Sequence, residues 1–254
     1  MPDESIPAGR EAAIVEAFVH LSDTLVDDFD VIEFLHYLTE RCVEFGPVDD
    51  AAVMLAAPNG HLQAVAASTE RSHLLELFEL QNVEGPCLDA FREGTVVASD
   101  DLNKEHARWP TFAPHAVEVG YRAVHSIPLK LRERIIGALN LLSAEPGAVS
   151  PADANVLRAL ADIATVGVLQ ERTIAGLGTH ASGLELALTS RIRIEQAKGI
   201  LAERHQLTVD DAFDLLRTYA RRRGLRLTDV AIGVVDRTIS IPAPGNVRDH
   251  STSD

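Results

Sequence analysis

The residues best suited to chemistry lie near the C-terminus. Arg191, Arg193, Gln196, Lys198 and Gly199 fall in one stretch, and Arg217, Tyr219, Arg221, Arg222 and Arg223 in the next. Guanidinium forks grip phosphate oxygens in pairs and stack on planar rings, whereas an ammonium acts as a point charge. The amide of Gln196 both donates and accepts hydrogen bonds. Lys198 is one of three lysines, with Lys104 and Lys130. On a helix, Arg217 and Arg221 are four apart and share a face. Gly199 interrupts a helical pattern at a cost of about 1 kcal/mol against Ala. That cost implies close approach, by a packing helix or by a bound nucleic acid, and the packing helix is the expected reason. Simpler roles compete throughout. Lys198 can be a solvated helix residue, the arginines can pair with Asp210, Asp211 and Asp214, and Tyr219 can pack beside Phe213, the stretch's other ring.

The front of the chain offers less. Cys87 precedes a helix start, where a thiolate is favoured, yet no His and Asp follow at a spacing that would make a nucleophilic set. A packed or partly exposed thiol is expected. His20, His36, His61, His73, His106, His115 and His125 show no metal-type spacing, so no metal is expected. Neither a GxxxxGK[ST] phosphate loop nor a dinucleotide fingerprint occurs. With no nucleophile, base and orienting group together, an enzyme is the weakest reading.

The elements that must position these residues follow from periodicity. Residues 10–26 and 30–46 read as amphipathic helices. Short β-like runs follow at Ala51–Ala56, Leu62–Ala66, Thr95–Ala98, Ala123–Leu131 and Ile135–Leu142. Pro58-Asn59-Gly60 between the first two is a hairpin signal, because Asn and Gly accept positive φ cheaply. Helical stretches fall at Ser72–Leu80, Pro86–Glu93 and Thr111–Val119. The pattern predicts an α+β fold with one antiparallel sheet flanked by helices. Ser150-Pro151-Ala152-Asp153 opens a long connector helix with a cap, a first-turn proline and an acid at the positive dipole end. Its apolar positions cover more than one stripe, which predicts packing on the sheet and on a partner helix.

The small, flexible run Gly176–Gly183 predicts a hinge at 176–183. Three helices follow within 184–241. The first spans Leu184–His205, with Leu184, Leu188, Ile192, Ala197, Ile200 and Leu201 inward. The second is capped by Thr208 and runs to Arg223 before Gly224, and the third starts at Thr228. Residues 242–254 read as a disordered tail.

Charge is divided unevenly. The chain carries a net −15. Residues 1–182 hold 12 Lys/Arg and 28 Asp/Glu, whereas 183–241 hold 10 and 8, a net of +2. Acidity therefore belongs to the front and would confine any polyanion to the back, where placement of the cations must matter more than their sum. The two cysteines form no disulfide framework, no apolar run is long enough for a membrane span, and residues 1–18 lack a basic leader. A cytoplasmic protein is expected.

Ser190 to Ala231 closely resembles the ANTAR domain, the RNA-binding output module of bacterial antitermination regulators. The resemblance rests on Ile194-Glu195-Gln196-Ala197-Lys198-Gly199-Ile200-Leu201, then Ala212-Phe213, Leu216-Arg217, Leu227 and Val230-Ala231. Residues 30–175 resemble a GAF domain, a broad family of small-molecule sensors. That likeness rests on Glu84-Gly85-Pro86-Cys87, Ser126-Ile127-Pro128-Leu129 and Ile136-Gly137-Ala138-Leu139. Together they are similar to the GAF–ANTAR regulators common in actinobacteria.

The resemblance implies a sensor over 1–175, ending in the connector, and an RNA-binding module over 184–241. It implies a homodimer, paired through the connector helices, that holds two short hairpins in a leader transcript, so that a competing terminator or sequestering hairpin cannot form. The RNA contacts it implies are Arg191, Arg193, Gln196, Lys198, Gly199, Arg217, Tyr219, Arg221 and Arg222, since hairpin loops call for phosphate cations and amide bonds to splayed bases. A small-molecule ligand in the sensor would touch Cys87, Trp109, Tyr121 and His125, although a GAF domain can also serve only as a dimerisation platform. No receiver domain is evident, so phosphorylation control is not expected. The alternative is a DNA-binding helix-turn-helix regulator with the same sensor, since three short helices with arginines fit that too.

Overall fold

The computed structural model describes residues 8–23, 30–57, 59–147, 149–177 and 183–243, with side chains at all of these except 8, 23 and 172–189. The chain divides into two compact units, Met1–Ala187 and Leu188–Asp254.

In the first unit, helices α1 (Ala8–Asp23) and α2 (Val31–Phe45) precede the sheet. Asp30 caps α2, accepting from Ile32 N and Glu33 N at 3.0 and 3.2 Å. Strands β1 (Asp50–Ala56) and β2 (Leu62–Ala67) form a hairpin, in which Gly60 takes φ +82° and Asn59 Oδ1 accepts from His61 N. Three helices follow: α3 (Glu70–Asn82), α4 (Pro86–Glu93) and, after β3 (Val97–Ser99) and a 3-10 turn at Leu102–Lys104, α5 (Phe112–Val119). Strands β4 (Ala123–Leu131) and β5 (Arg134–Ser143) close the sheet, and α6 (Pro151–Leu177) leaves it. Ser150 Oγ caps α6 through Asp153 N.

The sheet runs β2-β1-β5-β4-β3, and every pairing is antiparallel. β1 is almost wholly buried, which explains why it reads as an unbroken apolar run and not as an alternation. Met54, Ala64, Val124, Ala138 and Leu142 share one face and form the core with Leu75, Cys87, Leu88, Trp109, Phe112 and Tyr121 from the α3–α5 side. α2 and α6 pack against each other and reach β1 and β4 respectively.

The second unit contains α7 (Gly183–His205), α8 (Val209–Arg223) and α9 (Leu227–Val235). Thr208 caps α8 by accepting from Asp211 N at 3.1 Å and donates to the Asp211 carboxylate at 2.7 Å. Gly224 ends α8 in the left-handed conformation, φ +61°. The core gathers Ile194, Ala197, Leu201, Ala212, Leu216, Ala220, Leu227, Val230, Ala231 and Val234. Ile241 is buried as well, and its carbonyl lies 3.0 Å from His205 Nε2.

Several expectations are corrected. Ile192 was expected inward but is 60% exposed, because the inward stripe runs through Ile194, Ala197 and Leu201 and a residue two before Ile194 falls on the opposite side. α9 starts at Leu227, not Thr228, and its N-cap Arg226 makes no side-chain cap bond. β3 is shifted to Val97–Ser99 from the expected Thr95–Ala98. Of the expected first helix, 24–26 lie outside the described residues, as do 178–182 of the hinge and 244–254 of the tail.

Candidate functional site

The hallmark stretch of α7 does not present its polar residues on one face. At about 100° per residue, Gln196 and Lys198 are about 200° apart and point to opposite sides of the helix. Gln196 is exposed, whereas Lys198 is 7% exposed. Lys198 Nζ is 2.9 Å from Glu195 Oε2 and lies 5.5 Å from the Phe213 ring centroid. Arg217, 5% exposed, places its guanidinium carbon 5.6 Å from the same centroid. Two cations thus flank one ring, within the range where the ring quadrupole attracts them. Lys198 thereby ties α7 to Phe213 of α8, and Arg217, on α8 itself, shares the same ring.

The other expected contacts divide between these surfaces. Arg191 and Arg193 are half-buried, and Arg193 Nη1 lies 3.5 Å from Gln196 Oε1, a marginal bond. Arg221 and Arg222 are exposed in the last turn of α8. Tyr219 is half-buried, and the Arg223 guanidinium carbon sits 4.6 Å from its ring centroid, so one of its neighbours already uses the ring. Gly199 is exposed, and a Cβ built there would meet nothing within 4 Å. Among the described residues no helix packs on this glycine.

In the first unit, the same polarity puzzle appears with the sign reversed. α3 exposes Leu74 (56%) and buries Glu76 and Glu79 completely. The buried carboxylates meet on Asn140, whose Nδ2 donates to Glu76 Oε1 at 2.7 Å and to Glu79 Oε2 at 3.2 Å. Ser126, directly across from Asn140 in the β4–β5 ladder, donates to its Oδ1. Glu79 has a second role. α4 begins at Gly85-Pro86 with no side-chain cap, and Glu79 Oε1 accepts from Leu88 N at 3.0 Å, so the cap comes from the preceding helix. Gly85 is required here, since a Cβ on it would lie 2.5 Å from the Glu79 side chain and its φ is +150°.

Glu84 repeats the device for α5. Its Oε1 accepts from Thr111 N and Phe112 N at 2.6 and 2.8 Å, where α5 has no side-chain cap of its own. The Glu84-Gly85-Pro86-Cys87 turn therefore receives one helix cap, from Glu79, and supplies another through Glu84. Sequence reasoning missed Glu76, Glu79 and Asn140. The available signal was a helix opening on Gly-Pro with no Ser, Thr, Asp or Asn before it, so that the cap had to come from elsewhere. Burial, then Glu76, hold the Glu79 carboxyl well above the usual carboxylate range, while bonds from Leu88 N, Cys87 N and Asn140 work the other way.

A second network joins the sheet to α3. Asp50, 1% exposed, accepts from Tyr121 Oη at 2.6 Å, Thr69 Oγ1 at 2.7 Å and Ser68 Oγ at 3.0 Å, and pairs with Arg71 at 2.5 Å.

Comparison with known families follows these two units. The GAF domain model matches residues 30–168, more than half of the chain, and the ANTAR domain model matches 182–235. The chain is a GAF–ANTAR regulator. An ANTAR domain carries RNA-binding antitermination regulation and a GAF domain carries sensing, so this pairing is that of a regulator. The regulator's front unit is similar to the GAF domain of an Acinetobacter phosphoenolpyruvate-protein phosphotransferase, with 12% identity, TM-score 0.52, and coverage of 66% of this chain and 98% of that one. It is also similar to the free methionine-R-sulfoxide reductase of Neisseria meningitidis, solved with its substrate, with 18% identity, TM-score 0.50, and coverage of 67% and 96%. At these identities the likeness establishes the fold alone. No curated protein matches the chain.

Within the GAF domain, the four residues expected to line a ligand cavity are not brought together. Cys87, Trp109 and Tyr121 are at most 1% exposed and belong to the core on the α3–α5 side. Trp109 Nε1 donates to Asp89 at 3.0 Å and Tyr121 Oη to Asp50, so both polar tips are engaged. Burial, Glu76 and Glu79 push the Cys87 thiol well up, which suppresses the thiolate expected of a reactive cysteine. His125 faces the other way. In the β4 alternation it lies opposite Val124 and Ser126, beside a water-sized cavity of about 10 Å³ with Asp100 and Ser143, and burial and then Arg158 of α6 lower its pKa. Among the described residues no group of His, Cys, Asp and Glu can hold a metal ion, and no helix is long and apolar enough to cross a membrane.

Proposed function

We propose that this GAF–ANTAR regulator binds a pair of short hairpins in leader transcripts through its C-terminal module. Stabilising that pair promotes antitermination or relieves sequestration of downstream genes. The observation that carries the reading is the exposure of Gln196, Arg221 and Arg222 on the module's helices, with Arg193 partly exposed, residue types that suit phosphate and unpaired bases. The acidic front repels RNA and keeps the contact on α7 and α8.

The protein acts in the cytoplasm as a homodimer paired through its connector helices. One module of net charge +2 holds RNA weakly, and two on one dimer raise each other's effective concentration at a second hairpin. A small molecule in the GAF domain changes the connector pairing and so the spacing of the modules. Sequencing the RNA that co-purifies with the full-length chain tests this reading, with enrichment of transcripts holding two adjacent hairpins as the expected result. Absence of any hairpin enrichment contradicts the RNA assignment. A chain that stays monomeric with and without the enriched RNA contradicts the dimer.

A further inference from the structure

The connector helix α6 packs on β4 and α2 and buries Leu157, Leu160, Ala161 and Ala164. On β4, Ala123, Ile127 and Leu129 are buried on the face opposite Val124 of the α3–α5 core, and the half-buried His125 shares their face. A histidine thus stands among apolar residues where the sheet meets its connector. We infer that His125 is a proton-sensitive latch: when its imidazole takes up a proton, α6 loosens on the sheet, so that acidification is itself a signal to the GAF domain. How a loosened connector respaces the C-terminal modules rests on the reading above, whereas the latch does not.

The surroundings give a positive charge on the ring little support. The cavity beside it, about 10 Å³, has room for one water and not for the several that hydrate an imidazolium. Two of its walls are joined where Gly147 N donates to the Asp100 backbone carbonyl at 2.9 Å. β5 contributes Leu141 and Ser143 to the lining, and the segment before α6 contributes Gly147 and Val149, none of which carries charge. Among the described residues, the charged groups facing the ring are Arg158 of α6, which opposes a proton there, and Asp100 after β3, which favours it. Burial is the larger effect and acts in the same direction as Arg158, so the ring titrates below 6.5, the usual histidine value. Arg158 and Asp100 are exposed, so water and salt screen both. Moving α6 outward hydrates the ring and takes Arg158 away from it in one motion. A group that titrates lower in the docked state supports docking fully above its undocked value, and that support is lost as pH falls from 6.5 towards the docked value.

The test follows the His125 ring by NMR and the backbone of α6 by hydrogen exchange in the full-length chain, between about pH 7.5 and about pH 5.5. Glu79, whose carboxyl titrates high in the folded chain, responds to acid with the opposite sign, so global unfolding would mix the two. Protection over residues 157–164, corrected for the intrinsic exchange rate, is expected to fall several-fold on acidification in the wild type and to stay level in His125→Gln. The fall should shrink in Arg158→Gln, with the ring titrating closer to 6.5, and grow in Asp100→Asn, with the ring titrating lower. These two exposed positions carry the test if His125→Gln does not fold. An equal fall in His125→Gln, or a ring that titrates while α6 protection stays level, overturns the inference. So does a ring titration that neither Arg158→Gln nor Asp100→Asn moves. Hairpin affinity that ignores pH while α6 responds contradicts the connector's part in the RNA reading and leaves the latch standing.

Discussion

The two units bury charge of opposite sign, and the burial serves different ends. In the GAF domain α3 turns Glu76 and Glu79 inward, where Asn140 and the N-terminus of α4 receive them. In the ANTAR domain α7 and α8 turn Lys198 and Arg217 inward, where Phe213 and Glu195 receive them. Glu79 fastens α4 by capping it, and Lys198 fastens α7 to α8 by meeting a ring that Arg217 shares. Charge type therefore does not reveal which residues are free to meet a partner. In the RNA-binding half the lysine at the centre of the family motif is among the least accessible cations, and the arginines near the end of α8 are among the most accessible.

Breaking the front unit should have the largest effect. Asp50→Ala removes the acceptor of Tyr121, Thr69, Ser68 and Arg71 at once. A loss of about 3 kcal/mol is expected in urea unfolding of the first unit, because a buried partner set is left unsatisfied. A loss within experimental error would mean that the network is incidental.

The braced cations come next. Lys198→Ala should lower the stability of the ANTAR domain by about 1–2 kcal/mol, through the lost ring contact, ion pair and stem packing. Hairpin affinity measured well below the melting transition should change little. A large loss of affinity with unchanged stability would move Lys198 from the brace to the contact face.

The pH response of the front unit has a definite sign. A carboxyl whose folded pKa is raised binds its proton more tightly when folded. Its contribution is therefore fully present below the unfolded value near 4.5 and declines as pH rises towards the folded value. Unfolding free energy should fall with rising pH from the mid-4s upward, and Glu79→Gln should flatten that slope. An unaltered slope in Glu79→Gln would show that Glu79 is not the group responsible.

The smallest effect belongs to a single exposed arginine. Arg222→Ala should leave the melting temperature unchanged and reduce hairpin affinity a few-fold at moderate salt. The slope of log K against log salt should shrink by about 0.7, as expected for one lost phosphate contact on single-stranded RNA. An identical slope would remove Arg222 from the interface.

Much of this architecture was legible from sequence, for identifiable reasons. α4 was bounded by Pro86 and Glu93 because Gly85 and Gly94 punctuate it on either side, and α8 was announced by Thr208 with Asp211 and closed by Gly224. The sheet followed from alternating and continuous apolar runs. What was illegible came from tertiary partners. The inward turn of Glu76 and Glu79 depends on Asn140, over 60 residues away, and no local pattern connects them. Ile192 read as core because a three-to-four spacing can be threaded through more than one stripe, and tertiary packing selects the buried one through Ile194, Ala197 and Leu201. The separation of Gln196 from Lys198 was available from helix geometry alone, but their shared motif drew them together. The expected ligand set is split between two faces for a similar reason: His125 is one residue from Val124 and Ser126, and in a strand that single step changes the face.

The most direct test of the account is a competition gel shift with the full-length chain, setting hairpin-loop RNA against the same sequence as duplex DNA at fixed salt. The account predicts a shift with the RNA that excess duplex DNA does not displace. Preference for the duplex would contradict it and make the C-terminal module a DNA reader.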